Sequence, residues 1–166
     1  ENKRFIEALS RSQIYQDYER AFSKTTGLPL TLRPVEPWHI VHKGKKYENP
    51  FCALMGESNR ACAACLETQQ KIAAEKGHGP RTVKCFAGLC DSAVPVRVGD
   101  NLIAFLQTGQ ILLHTPKQSE FTRTTRELIK LGTEVDLKQL EEAYFQTRVV
   151  TRKQYESIVR LLTIFA

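Results

Sequence analysis

An α+β fold, with an antiparallel sheet flanked by helices in a single domain, follows from three features of the sequence. Helix-like and strand-like segments come in blocks: a helix, a short strand, helices, a run of strands, then helices. The turn Gly99-Asp100-Asn101 separates two apolar runs and predicts a hairpin. The second run carries Leu102, Ala104 and Leu106 on one side and Ile103 and Phe105 on the other, which places it inside a sheet with both faces covered.

Residues 4–24 read as a helix, with Tyr15, Tyr18 and Phe22 at helical spacing and Gly27 placed to end it. Residues 28–32 form a short strand. Pro34, Pro37 and the stretch from His42 to Lys46 make a loop-rich connection, with an extended piece at 38–41. Residues 51–55 suit one helical turn, and Ser58 caps a helix running to Lys76 before Gly77. Strands are expected at 82–86, 93–98 and 102–113, and helices at 117–131, 136–146 and 151–166. Pro95 lacks an amide donor, so its strand is expected at a sheet edge or bulged there.

A chain of 166 residues with 42% hydrophobic and 25% charged residues buries an adequate core without metal or disulfide staples. Five cysteines, an odd number, point to a reducing cytoplasm. No apolar run reaches the roughly 20 residues that cross a bilayer. The net charge of +6 is spread from Lys3 to Arg160 without a dense block, so direct nucleic-acid binding by this segment is not expected.

No nucleophile elbow, phosphate-binding loop, dinucleotide fingerprint or deaminase motif occurs, and the expectation is a binding domain without catalytic residues. His39 and His42 fall in an extended segment, where their spacing points them to opposite sides. All five cysteines lie between residues 52 and 90. Cys62, Cys65, Gln69 and Ile72 share one helix face. Packed against the turn at Phe51 and the strand end at Cys85, this face would gather Cys52, Cys62, Cys65 and Cys85 into a four-thiolate site for zinc or an iron-sulfur cluster. Reduced core cysteines and a redox switch are the other readings of the same residues. Cys90 stands apart, across a tight turn from Cys85.

The ordered motifs Asn49-Pro50-Phe51-Cys52-Ala53-Leu54, Arg60-x-Cys62-x-x-Cys65, Cys85-Phe86-Ala87-Gly88-Leu89, Ala93-Val94-Pro95-Val96 and Gly109-Gln110-Ile111-Leu112-Leu113 resemble the PocR sensory domain over roughly residues 5–150. The resemblance implies a PAS-like fold placed ahead of AraC-type DNA-binding domains, histidine kinases or cyclic-dinucleotide enzymes. It also implies the sensing of small hydrocarbon derivatives such as short diols. The family commonly has His after the motif cysteine, where this chain has Phe86, so a less polar pocket is expected here.

Polar residues interrupting an apolar strand are a usual pocket design, which makes Gln107 and Gln110 candidates alongside solvent exposure as the plainer explanation. Trp38, Cys85, Phe86 and Asp91 complete the expected ligand-binding set. Residues 1–150 then form the sensory domain, and 151–166 a signalling helix leading to an output domain. Tyr155, Ile158, Leu162 and Phe165 on that helix form a heptad-like seam that either pairs with a second copy or packs on its own sheet.

Overall fold

Four strands, Leu30–Pro34 (β1), Arg81–Lys84 (β2), Cys90–Val98 (β3) and Asn101–Ile111 (β4), form one antiparallel sheet in the order β1-β4-β3-β2. The computed structural model describes residues 2–36, 40–75 and 77–166. Among the described residues seven helices surround the sheet: Asn2–Arg11 (α1), Gln13–Thr26 (α2), Pro50–Glu57 (α3), Asn59–Ala74 (α4), Gln118–Lys130 (α5), Leu137–Phe145 (α6) and Arg152–Phe165 (α7). This is the α+β class expected. Among the described residues no helix is long and apolar enough to cross a membrane.

The first helix differs from its sequence reading. Ser12 adopts an extended conformation and its hydroxyl accepts the Tyr15 N–H, so it ends α1 and caps α2 instead of lying inside one helix. Gly27 closes α2 in the left-handed region, at φ 71°, as expected. The helical turn at Phe51 extends to eight residues because Asn49 caps it and Pro50 occupies its first turn. Ser58 caps α4 as predicted, but the helix ends at Ala74, short of Lys76. Lys76 lies outside the described residues, as do Pro37, Trp38 and His39.

β3 begins three residues earlier than expected, because Cys90, Asp91 and Ser92 pair with β2. Pro95 pairs with Phe105 on β4 but lies beyond the last β2 pair, Arg81↔Ala93. The chain therefore satisfies the proline by ending its neighbour rather than by moving β3 to an edge, and a bulge follows at Val96/Arg97.

The pleat divides the interior. Leu30, Leu32, Val94, Val96, Ala104 and Leu106 share one face, which packs with residues of α2 and α7 in the largest apolar cluster. Tyr155 of α7 donates its hydroxyl hydrogen bond to Ser92 Oγ at 2.7 Å, and Ser92 in turn meets Thr82 Oγ1 at 2.7 Å. All four residues of the seam on α7 belong to this cluster: Tyr155 and Leu162 are buried and Ile158 and Phe165 are packed against it. The seam thus serves the chain's own core, leaving Leu161 and Ile164 on the exposed side of α7. A second cluster, centred on Phe51, Met55, Phe121, Leu140 and Tyr144, joins α3 to α5 and α6.

A second bulge, between Cys90 and Asp91, joins these parts. Register runs Cys90↔Ile111 and Asp91↔Gly109, so Gln110 is the extra residue on β4. Its φ of 59° and that of Gly109, 145°, are both positive. A Cβ at Gly109 would stand 2.5 Å from Asp91 Oδ1 and 2.6 Å from the Cys90 carbonyl oxygen, so only glycine fits. The bulge turns Gln110 toward the start of α3, where its Oε1 accepts the Asn49 N–H at 2.8 Å. Asn49 Nδ2 donates to the Gln110 carbonyl at 3.1 Å and to Thr147 Oγ1 at 3.2 Å, while its Oδ1 caps Phe51 N–H at 2.9 Å.

All polar atoms of the buried Asn49 side chain are therefore engaged. Asn49→Ala should lower stability in guanidinium titration by about 2–4 kcal/mol, combining a lost cap with a buried carbonyl left without its donor. Asn49→Ser, which restores a cap acceptor but not the amide donor, should recover about 1 kcal/mol of that loss. A loss below about 1 kcal/mol for the alanine variant would contradict this anchoring role.

Candidate functional site

The other sheet face is polar at its centre. Alternation from Leu30 and Leu32 puts Thr31 and Arg33 of β1 on this face, opposite Gln107 and Phe105 of β4. Ala93 and Pro95 pair with the same two β4 residues from β3, and Asp91 lies one alternation further along. Ile72 of α4 packs against Ala93 and Phe105, which sets α4 over this face. Gln69 lies one helical turn before Ile72 on the same side of α4.

Arg33 organises the face. It is only 2% exposed, yet its guanidinium lies over the Phe105 ring, 4.8 Å from the centroid. Nε donates to Gln107 Oε1, and Nη1 donates to the carbonyls of Pro34 and Val35 at 3.0 and 3.2 Å. Arg81 approaches the same ring, 4.9 Å from its centroid, and donates to the Ile72, Ala73 and Gly77 carbonyls at the end of α4. The loop before α3 brings His42 to Thr31, with Nδ1 and Oγ1 hydrogen-bonded at 2.7 Å. Lys45 fixes that loop by donating to Glu19 and to the Leu30 carbonyl.

Five buried polar atoms around this face have no hydrogen-bond partner among the described residues: Arg33 Nη2, Arg81 Nε, His42 Nε2, Gln69 Oε1 and Asp91 Oδ1. Arg33, His42 and Gln69 are each at least nine-tenths buried. Such groups cost roughly 1–3 kcal/mol apiece when left unmatched, so their concentration here marks a surface suited to polar recognition.

Charge is also displaced from its ordinary state. Burial raises the Asp91 carboxyl to about 7, against the stabilising influence of the Gln110 N–H, the Gln107 amide and the Arg33 guanidinium. Burial lowers His42 to about 3, assisted by the cations Lys45 and Arg33, so the imidazole is neutral. Arg33 falls to about 10, through burial and the neighbouring Arg81, while Asp91 opposes the change.

The cysteines border this face on its apolar side. Cys52, Cys65 and Cys85 pack against the second cluster with Phe86, and all five thiols are free. Burial pushes Cys52 well up, Cys65 to about 12 and Cys85 to about 11, with mutual repulsion and Asp91 adding to each. Protonated thiols of this kind are poor nucleophiles. Among the described residues no three His, Cys, Asp or Glu side chains are grouped so as to hold a metal ion, so the four-thiolate arrangement of Cys52, Cys62, Cys65 and Cys85 is not assembled here.

Of the residues expected to contact ligand, Asp91 and Gln107 lie on the polar face. Cys85 and Phe86 lie at its border, where the Cys85 N–H donates to the Leu89 carbonyl across the turn through Gly88. Gln110 is instead engaged by Asn49, and Trp38 lies outside the described residues. Arg33, His42 and Gln69 are additions. Arg33 was legible in principle: continuing the alternation of Leu30 and Leu32 by one residue places it beside Thr31. The expected strand, 28–32, stops two residues short of the end of β1 at Pro34.

Two measurements test this picture. In the native protein at neutral pH, Cys65 and Cys85 should react with a disulfide reagent about 100-fold more slowly than an unperturbed thiol, and normally once the chain is unfolded. Rapid native labelling of either would contradict their raised pKa.

Between about pH 4 and pH 7 folded Asp91 holds a proton that the unfolded chain has released, so its contribution to stability falls as pH rises through that window. His42 acts oppositely: it stays neutral when folded, so its contribution is lost as pH falls from about 6.5 toward 3. Asp91→Asn removes only the first effect. Relative to the natural chain, this variant should gain about 1–2 kcal/mol in urea titration between pH 5 and pH 8, the partial exposure of Asp91 limiting the change. A constant difference across that range would contradict the assignment.

A family model described as the sensory domain found in PocR matches residues 9–166. Searches of curated proteins and of solved structures return no match. The match takes in the bulge, the polar face, the cysteine-bearing helices and α7 alike. On this evidence of sequence, joined to the α+β architecture, the chain belongs to the PocR sensory domain family.

Proposed function

We propose that this chain is the small-molecule-sensing domain of a bacterial signalling or transcription protein, acting by binding and without catalysis of its own. Membership of a sensory family supports a sensing role. The observation that carries the finer reading is the set of buried, unmatched hydrogen-bonding atoms on one sheet face, Arg33 Nη2, His42 Nε2, Gln69 Oε1 and Asp91 Oδ1. They stand beside Phe105, Ile72 and the border formed by Cys65, Cys85 and Phe86, which supplies apolar walls with a few orienting polar groups. The ligand is a small hydrocarbon derivative, held in a PAS-like manner between the sheet and the cysteine-bearing helices in a cytoplasmic protein.

In this reading α7 carries the output. It is continuous with the core on the opposite sheet face through Tyr155 and Ser92, so a ligand-dependent shift of β3 reaches it directly. A ligand biases such an output only if it binds two arrangements with different affinity. Pairing of two copies through α7 would use the exposed Leu161 and Ile164, since the seam itself is buried.

Thermal-shift titration against short diols, alcohols, aldehydes and acids is the direct test. A ligand present at about 100 times its Kd should add about 2.7 kcal/mol of stability. Asp91→Ala and Gln107→Ala should each abolish most of that gain while leaving a folded protein. A broad set of compounds with no stabilising member would refute the sensor reading.

A further inference from the structure

The charge on the polar face is unbalanced, and the imbalance narrows the ligand. Arg33 and Arg81 both bring a guanidinium to the Phe105 ring. Arg81 donates to three carbonyls at the end of α4 and meets the helix there, with only Nε left without a partner among the described residues. Arg33 is answered by neutral groups only: the Gln107 amide oxygen and two carbonyls. Among the described residues no salt bridge includes either arginine.

The carboxylate acting on Arg33 is Asp91, which burial leaves only partly ionised at neutral pH. A cation that is 2% exposed and lacks a full counter-charge is a costly arrangement, and its free Nη2 has no acceptor among the described residues. A neutral ligand would satisfy the hydrogen bond and leave the charge; an anionic oxygen would satisfy both.

Two further atoms limit the size of that charge. Gln69 Oε1 accepts and cannot donate, and Asp91 Oδ1 accepts whenever the carboxyl is ionised. They call for a donor on the ligand and disfavour a multiply charged group such as phosphate beside Asp91. Thr31 occupies His42 Nδ1 on the same face and leaves Nε2 as the free atom of that ring.

We infer that the ligand is a short hydroxy acid, with its carboxylate on Arg33 Nη2 and its hydroxyl donating toward Gln69 Oε1 or Asp91 Oδ1. The inference rests on the sensor reading above and replaces a short diol by its carboxylate counterpart.

The test uses the whole chain and four probes: lactate, lactamide, propylene glycol and inorganic phosphate. Lactamide keeps the shape of lactate without its charge, and propylene glycol replaces the carboxylate by a hydroxymethyl group. Calorimetric titration and thermal shift should show lactate binding at least about 30-fold more tightly than either neutral compound, as expected for a charge-assisted contact in a buried site. Arg33→Gln should erase that preference, and Arg33→Lys, which keeps the charge but not the guanidinium geometry, should restore only part of it. Far-UV circular dichroism checks that each variant is folded, and the lactate and lactamide pair needs no variant.

Equal binding of lactate and lactamide, preference for propylene glycol, stabilisation by phosphate alone, or a folded Arg33→Gln variant that binds lactate as before would each overturn the inference while the sensor reading stands. Absence of binding by all four probes overturns the inference. Only failure of the wider compound set removes the sensor reading too.

Discussion

The contact between Gly109 and Asp91 governs the arrangement of the molecule. Without a side chain at residue 109, β4 approaches β3 closely enough to form a bulge there, and the bulge sends Gln110 out of the sheet register. The displaced glutamine then receives Asn49, which starts α3 and sets the direction in which Cys52 and Phe51 enter the second core cluster. The same close approach holds Asp91 beneath the backbone and shields Oδ1 from solvent. One missing methyl group thus accounts for a helix position, a shielded acid and the boundary between the two apolar clusters.

Burial then decides chemistry. The thiols of Cys65 and Cys85 lie against aromatic and aliphatic groups of α3, α5 and α6, and burial, with repulsion from Asp91 and neighbouring thiols, keeps them protonated. Phe86 belongs to the same surface. Cys52, Cys65 and Cys85 pack together with Phe86 on the second apolar cluster, beside the polar stripe. The stripe itself is organised by arginine stacking on Phe105 rather than by ion pairing, so it stays electrostatically open.

The sequence disclosed the elements with local causes. Ser58, Gly27, the Gly99-Asp100 turn and the amphipathic α5, α6 and α7 were legible because caps, turns and helical periodicity act within a few residues. Gln107 was legible as a polar interruption of an apolar strand, and Asp91 by its place just after Cys90. Features that depend on distant partners were not. Ser12 divides a continuous periodic run because its side chain competes for a backbone donor, and Gln110 is drawn away by Asn49, 61 residues earlier in the chain. The role of Arg33 required the register of β1 against β4, which fixes its position over Phe105, and no local pattern supplies that register.

Ser92 occupies the place where the two faces meet. It is the residue after Asp91, so a single peptide plane links a side chain on the polar face to one that touches both Tyr155 of α7 and Thr82 of β2. Because successive side chains of a strand point in opposite directions, rotation of that plane moves the two in opposite senses. The strand thus joins the Asp91 carboxyl to the Tyr155 hydroxyl across one peptide unit and one hydrogen bond, with no loop between them.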